Sequence, residues 1–241
     1  MRWGQPPLTF ELCSSDAALM ARAALVFRPW HPHRPGEPTW RWRIEPIAGD
    51  QPDKGTGWEV RFDGSPEVFV SDTRERALML VEFLAVQALC EAPNGPPILH
   101  SALVAKHGKG VLIVGYGGAG KSTLACALWQ EGWALLCDDA TVVELDQGLA
   151  RPAPRRVSLR ASSRDLFGET LWASILASPS CDQTGEGWLF HPDEVDGRAR
   201  PDVTRLDALF FLARDGSPPD PGDGNGWSLP MRYWHSCPMR T

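Results

Sequence analysis

The chain has 241 residues, of which 43% are hydrophobic, enough to bury the core of one large domain or of two small ones. This composition excludes wholesale disorder. The net charge of −6 argues against electrostatic binding of nucleic acid, so we expect no nucleic-acid partner.

The first 95 residues are predicted to form a small α+β region, a candidate peptide-recognition subdomain. Alternating apolar residues indicate its strands, and capping side chains followed by apolar residues three and four apart indicate its helices. In chain order the predicted elements are a strand at 8–12, a helix from a cap at Ser15 and Asp16 to about Leu25, a loop at 27–38, strands at 40–44, 58–62 and 67–70, and a helix after a cap at Asp72 or Thr73. The breakers at 93–97 end the region.

Residues 96–215 carry the chemical motifs and form the second predicted domain, and 216–241 are predicted to be a flexible tail rich in proline and glycine. The same signals give the elements of the second domain. In chain order they are a strand at 98–105, a turn at 106–110, a strand at 111–114, a helix at 122–131 closed by Gly132, strands at 134–137 and 141–145, a strand at 157–160, a helix at 165–176, a strand at 188–190 and a last buried strand at 208–212.

A glycine-rich segment is the most informative motif. Residues 115–122 read G-Y-G-G-A-G-K-S and follow directly on the apolar run V-L-I-V. A buried strand, a glycine turn and a helix in this order are typical of a phosphate-binding loop, with the lysine on the phosphates and the serine hydroxyl on Mg²⁺. A glycine turn without a ligand is the alternative. The predicted nucleotide-binding residues are Gly115, Gly117, Gly118, Ala119, Gly120, Lys121, Ser122 and Thr123.

Two adjacent acids, Asp138 and Asp139, follow the strand that comes after the loop helix. We expect them to lie beside the loop at the end of a neighbouring strand. One carboxylate there would ligate the Mg²⁺ held by Ser122, and the other would accept a proton from an attacking hydroxyl. The alternative is a surface turn or a helix cap, because aspartate is a common turn residue.

His100 is the third candidate catalytic residue, with Asp138 and Asp139. It lies on the predicted strand before the loop strand, so a hairpin would bring it alongside the phosphate site. A packed, hydrogen-bonded histidine is the alternative interpretation. Four downstream arginines are interpreted as a solvated basic face, with steering of a phosphate as the alternative: Arg155, Arg156, Arg160 and Arg164.

These motifs together resemble the core of the HPr kinase/phosphorylase family. The resemblance covers about residues 98 to 145, and the segment that carries it reads L-H-S-A-L-V-A-K-H-G-K-G-V-L-I-V-G-Y-G-G-A-G-K-S-T-L-A-C-A-L-W-Q-E-G-W-A-L-L-C-D-D. It implies an α/β fold with a P-loop core on a mixed sheet, related to phosphoenolpyruvate carboxykinase. The chain looks closest to the short HPr-kinase-related proteins of ribosomal peptide modification, including lasso-peptide kinases.

The resemblance implies an ATP- and Mg²⁺-dependent kinase that phosphorylates a serine or threonine of a peptide or small protein. Lys121 and Ser122 would hold the phosphates and the metal, Asp138 would act as the base, and Asp139 would support the metal as a ligand together with Ser122. His100 would lie near the transferred phosphate. The family's later Gly-rich signature and its C-terminal helix have no counterpart here.

Two other functions stay open beside the kinase: a nucleotide-binding peptide-recognition module with little or no catalysis, and a small-metabolite kinase. The cysteines form no C-x-x-C pair and no metal spacing, so reduced thiols in a cytoplasmic protein are expected. No segment has the apolar length of a signal peptide or of a membrane-spanning helix, so no membrane partner is expected. Self-association into a homo-oligomer is left open.

Overall fold

The computed structural model describes residues 1–5, 8–28, 31–32, 39–47, 57–93, 95–185 and 187–213, which form a mixed α/β fold. In chain order the elements are β1 Arg2–Gln5, β2 Leu8–Cys13, α1 Ala17–Val26, β3 His31–Pro32, β4 Trp40–Pro46, β5 Trp58–Phe62, β6 Val68–Ser71, α2 Arg74–Glu91, β7 Ile98–Lys106, β8 Lys109–Gly115, α3 Lys121–Gln130, β9 Ala134–Cys137, β10 Ala140–Glu144, β11 Leu149–Pro152, β12 Val157–Arg160, a 3₁₀ helix Ala161–Leu166, α4 Glu169–Leu176, β13 Asp182–Gln183, β14 Gly187–Phe190, α5 Pro192–Asp196 and β15 Thr204–Leu212. The predicted tail at 216–241 lies outside the described residues.

The chain divides into two compact units. The first contains Met1–Gly95 and Pro154–Arg198, and the second contains Pro96–Ala153 and Ala199–Thr241. Residues 154–198 therefore group with the N-terminal region and not with the 96–215 core that the sequence predicts. No helix in the described part of the chain is both long enough and apolar enough to cross a membrane.

The first unit is built on a six-stranded sheet with the order β3-β1-β2-β4-β5-β6. The predicted meander is confirmed, because β4, β5 and β6 pair antiparallel in sequence order. The predicted helix caps are also confirmed: Asp16 accepts a hydrogen bond from the Leu19 amide at 2.6 Å and Thr73 accepts one from the Arg76 amide at 3.2 Å. The sequence prediction missed β1 and the short β3, which lies inside the predicted loop at 27–38.

A buried ionic network joins residues 154–198, the second chain segment of the first unit, to α2. Arg156 is fully buried, and its Nη2 donates to Glu82 Oε2 at 2.8 Å while Nη1 donates to the Ser180 carbonyl at 2.8 Å. Asp182 is a second carboxylate partner of the same guanidinium. Arg156 therefore does not belong to a solvated basic face, because a buried guanidinium needs fixed partners for all its donors.

The helix predicted in residues 154–198 also differs from the one in the structure. The sequence predicts a single helix at 165–176, but the structure has a 3₁₀ helix followed by α4, and the two are separated by Phe167 and Gly168. Gly168 is the N-cap of α4 and has an extended backbone, which interrupts the helical path.

The second unit contains a ring of paired strands. Antiparallel pairing joins β7 to β8, β7 to β10, β10 to β11 and β11 to β15, and parallel pairing joins β15 to β8. A core cluster that includes Leu103, Leu112, Val114 and Leu136 is fully or almost fully buried. The β7–β8 turn is shorter than predicted, because His107 and Gly108 alone form it with φ of 53° and 75°.

The last strand is less buried than the sequence predicts. Leu209 and Phe210 in β15 are 50% and 57% exposed, so the expectation of a buried strand is wrong. The reason is the position of β15 in the sheet. One side pairs with β8 along its length, but the other side pairs with β11 only at Thr204 and Arg205.

Candidate functional site

The β7–β8 hairpin sets the position of the candidate site. Ser101 on β7 is the register partner of Val114 on β8, so His100 and Gly115 lie at the same end of the hairpin. The glycine loop begins at Gly115 and leads into α3, whose N-cap is Gly120. The strand, loop and helix thus follow one another in the order that the sequence predicts.

Two loop glycines are required by the backbone. Gly115 has φ of 156°, and a Cβ at this position would lie 2.6 Å from the Leu212 carbonyl oxygen. Gly120 has φ of 99°, in the left-handed region that other residues rarely adopt. By contrast, a Cβ at Gly117 would meet nothing within 4 Å. The tight contact between β8 and β15 therefore explains why the first residue of the loop is a glycine.

Lys121 and Ser122 form the first turn of α3. The Lys121 ammonium is buried and donates to the Gly115 carbonyl at 3.0 Å and to the Tyr116 carbonyl at 3.3 Å. Ser122 and Thr123 are half-buried in the same turn. The first turn of a helix presents N–H groups without intrahelical acceptors, and together with the helix dipole these favour an anion.

The two aspartates lie beside β7. Strands β9 and β10 both pair antiparallel with β7, and Asp138 with Asp139 forms the link between them. Cys137 is opposite Leu103 and Ala140 is opposite His100. The backbone itself holds the link in place, since the Ser101 amide donates to the Asp139 carbonyl at 3.1 Å.

His100 and Asp139 are in direct contact. His100 Nδ1 lies 2.9 Å from Asp139 Oδ1 and 3.1 Å from the Asp139 carbonyl oxygen. The histidine side chain is 42% exposed and the carboxylate is 23% exposed. The structure thus brings together two of the three residues predicted to be catalytic, and it leaves the imidazole open to solvent.

Asp138 is more buried than its neighbour, with 5% exposure. Burial, and next the charge of Asp138, raises the pKa of the Cys126 thiol on α3. Cys126 follows Ser122 by one helical turn, so the two share a face of α3.

The cysteines of this region act as small hydrophobes. Burial raises the pKa of Cys137 to about 12, and the thiol lies 3.2 Å from the Thr141 hydroxyl. The cysteines that the structure describes form no disulfide, and Cys237 lies outside the described residues.

Acidic side chains alone would not supply all the ligands of a metal ion at this site. Among the described residues, no group of three His, Cys, Asp or Glu side chains is arranged to hold a metal ion. Mg²⁺ commonly uses one or two carboxylates together with phosphate oxygens and water. The carboxylates of Asp138 and Asp139 and the hydroxyl of Ser122 are oxygen donors of the kind that Mg²⁺ prefers.

The sequence prediction missed the contribution of β15. Leu212 is the register partner of Gly115, and the Phe211 ring contacts the Tyr116 ring edge-on with centroids 6.0 Å apart. The apolar run at 208–212 indicates a strand but not its neighbour. Parallel strands are joined through long connections, so sequence proximity does not reveal such a pair.

One family model matches part of the chain. Residues 70–168 match the family described as ScmC, a SynChlorMet cassette protein. The matched range covers less than half of the chain but includes His100, the whole glycine loop and both aspartates. No curated protein matches the chain.

A solved structure is also weakly similar. It is the HPr(Ser) kinase/phosphatase from Coxiella burnetii, with 22% sequence identity and a TM-score of 0.35. The similarity covers 52% of this chain and 71% of that chain. The chain is thus a mixed α/β protein that is similar to a cassette-protein family and weakly similar to an HPr kinase/phosphatase.

Proposed function

We propose that the chain is an ATP- and Mg²⁺-dependent kinase that transfers the γ-phosphoryl group to a serine or threonine hydroxyl of a peptide or small protein. One observation carries the proposal: the glycine loop and the His100–Asp139 contact lie at the same end of the β7–β8 hairpin. Phosphoryl transfer needs a phosphate cradle and a proton acceptor close together.

The loop fits a nucleotide phosphate chain. Gly117 and Gly118 have open space around the positions that a Cβ would take, so nothing in the described residues crowds the outer side of the loop there. The Lys121 ammonium contacts the Gly115 and Tyr116 carbonyls, so it lies at the loop, where it would reach phosphate oxygens. Gly115 to Thr123 would hold the phosphates through backbone N–H groups and the ammonium.

The acidic residues are suited to two tasks, which are to bind the metal and to accept the proton. ATP and Mg²⁺ would supply the transferable phosphoryl group and neutralise its charge. Ser122 and Asp139 would hold the metal, and Asp138 would take the proton that the acceptor hydroxyl loses as its oxygen bonds to phosphorus. The contact with His100 gives Asp139 a second task, which is to orient the imidazole.

The acceptor is proposed from its chemistry. A hydroxyl nucleophile needs a base within hydrogen-bond reach, and the exposed side chain of His100 marks an approach to the acids from solvent. A serine or threonine side chain of a peptide or small protein can reach a base that is approached in this way.

The test is phosphoryl transfer from labelled ATP to candidate precursor peptides. We expect Asp138→Asn to lower the rate by about 10²- to 10⁴-fold, as loss of a general base does, while nucleotide binding is kept. Lys121→Ala should weaken nucleotide binding itself. A wild-type rate no greater than that of Asp138→Asn would contradict the kinase, and saturable nucleotide binding without any phosphorylated product would favour a peptide-recognition module.

A further inference from the structure

The outer edge of β15 is an apolar strand edge next to the candidate site. Residues 208–212 read A-L-F-F-L, with no charge and no proline. In the described part of the chain, no strand pairs with β15 on this side beyond Arg205, apart from a hydrogen bond from the Leu206 amide to Gly148. Proteins normally protect such edges with charges, prolines or bulges, because open edges accept further strands. In β15 the Arg205–Asp207 ion pair and a register shift between Leu206 and Ala208 lie at the start of this edge, and residues 208–212 have none of these features.

Exposed apolar side chains lie on both faces of this edge. Leu209 is the register partner of Leu112 and Phe210 is the partner of Ile113, so the two exposed side chains point to opposite faces of the sheet. A helix or a flat surface could cover only one face. An extended strand added at the edge would cover both and would also satisfy the edge N–H and C=O groups.

The edge leads directly to the glycine loop. Leu212 is opposite Gly115, and Phe211 contacts the loop residue Tyr116, whose side chain is 71% exposed. At about 3.3 Å per residue, a strand of five residues along this edge spans roughly 16 Å. One end of such a strand would therefore lie at the loop.

We propose that the acceptor polypeptide binds as an extended strand on the outer edge of β15, opposite residues 207–212. This inference rests on the proposed kinase function, since it names the substrate class of the same site. Main-chain hydrogen bonds supply affinity, and apolar side chains on the two faces of the acceptor strand pack on Leu209 and on Phe210. The acceptor hydroxyl lies near the end of the docked strand, beside the loop.

The first experiment measures amide hydrogen exchange in the free full-length chain. We expect the outward-facing amides of residues 207–212 to exchange quickly, because the edge is open without acceptor. Slow exchange at every concentration would mean that another part of this chain covers the edge, and it would overturn the proposal. Slow exchange that appears only at high concentration would mean that a second copy of the chain covers the edge, and the proposal would fail in that case too.

The second experiment adds a serine-centred degenerate peptide library and follows the same amides. We expect slower exchange at 207–212, with selection for apolar residues at adjacent positions, one for each face of the sheet. Phe210→Asp should weaken peptide binding roughly tenfold or more, because burial of a phenylalanine side chain contributes about that much. Phe210→Leu should retain most of the binding. Leu145→Asp is a matched control, since Leu145 is 73% exposed in the same unit and lies outside β15.

Backbone methylation of a selected peptide distinguishes a docked strand from other binding modes. Only alternate N–H groups of an added strand face β15, so N-methylation should reduce binding at every second position. Uniform tolerance, or an unchanged exchange at 207–212 with the library present, would overturn the docking. If peptides are phosphorylated although residues 207–212 show no protection, the kinase function is supported and the docking on β15 is rejected. If peptides protect residues 207–212 but are not phosphorylated, the docking is supported and the kinase function is rejected.

Discussion

A methyl group at Gly115 is expected to disturb the loop and the sheet together. In Gly115→Ala, the new Cβ would lie 2.6 Å from the Leu212 carbonyl oxygen, 3.2 Å from Leu212 Cβ and 3.3 Å from Ala119 Cβ. The nearest of these is a backbone atom of a paired strand, so relief requires that β8 and β15 separate. The φ of 156° adds strain for any residue with a side chain.

The expected size of the effect follows from these contacts. Overpacking of a tight site costs about 1–3 kcal/mol, and an unfavourable backbone conformation adds about 1–3 kcal/mol. We therefore expect Gly115→Ala to lower the free energy of unfolding by roughly 2–4 kcal/mol, in the lower part of the combined range, because the strands can shift slightly. Nucleotide affinity should fall as well, since Gly115 begins the loop.

Urea unfolding and titration with a fluorescent ATP analogue would measure both effects. Gly117→Ala is the matched control, because its Cβ would meet nothing within 4 Å and its φ is not in the left-handed region. We expect the control to change stability by less than about 1 kcal/mol. Equal stability of the two variants, with Gly115→Ala near the wild type, would refute the close approach of β15 to the loop.

The remaining predictions concern pairs of residues and one thiol. His100→Ala and Asp139→Asn should be non-additive in the rate of phosphoryl transfer, because the two side chains are in contact, and a double-mutant cycle with a coupling near zero would contradict a joint role. Glu82→Ala should cost about 3–5 kcal/mol in urea unfolding, since it leaves Arg156 buried beside fewer partners, and a loss below about 1 kcal/mol would argue against that network. Burial raises the pKa of Cys90 to about 11 from 9.0, so alkylation of this thiol at pH 8 should be roughly a hundredfold slower in the folded chain than in urea. The alkylation rate of the folded chain should increase as the pH rises towards about 11. Equal rates in the folded chain and in urea would show that the thiol is exposed.

Local signals in the sequence predict most of the elements. The caps at Asp16 and Thr73 and the glycine after α3 are short-range patterns, and the structure has all of them. The Trp133 amide donates to the Leu128 carbonyl around Gly132, as expected for a helix closed by glycine. Such features depend on neighbours a few residues away, which a single sequence displays.

Long-range partners could not be predicted in the same way. The neighbours of Arg156 are arginines and prolines, which indicate a surface residue, whereas its real partners, Glu82 and Asp182, lie far away in the chain. The contact of Leu212 with Gly115 could not be predicted for the same reason, because the two residues are far apart in the chain. The candidate site was predictable to the extent that it is local: the loop, the paired acids and a hairpin that returns His100.

The interrupted path of the second unit has a consequence for biosynthesis. The ribosome makes the glycine loop before Pro154–Arg198, which belongs to the first unit, and it makes the strand that pairs with Gly115 only after that segment. A nascent chain therefore holds an incomplete cradle until its last described strand emerges. Ligand capture during translation should therefore be delayed until β15 has left the ribosome.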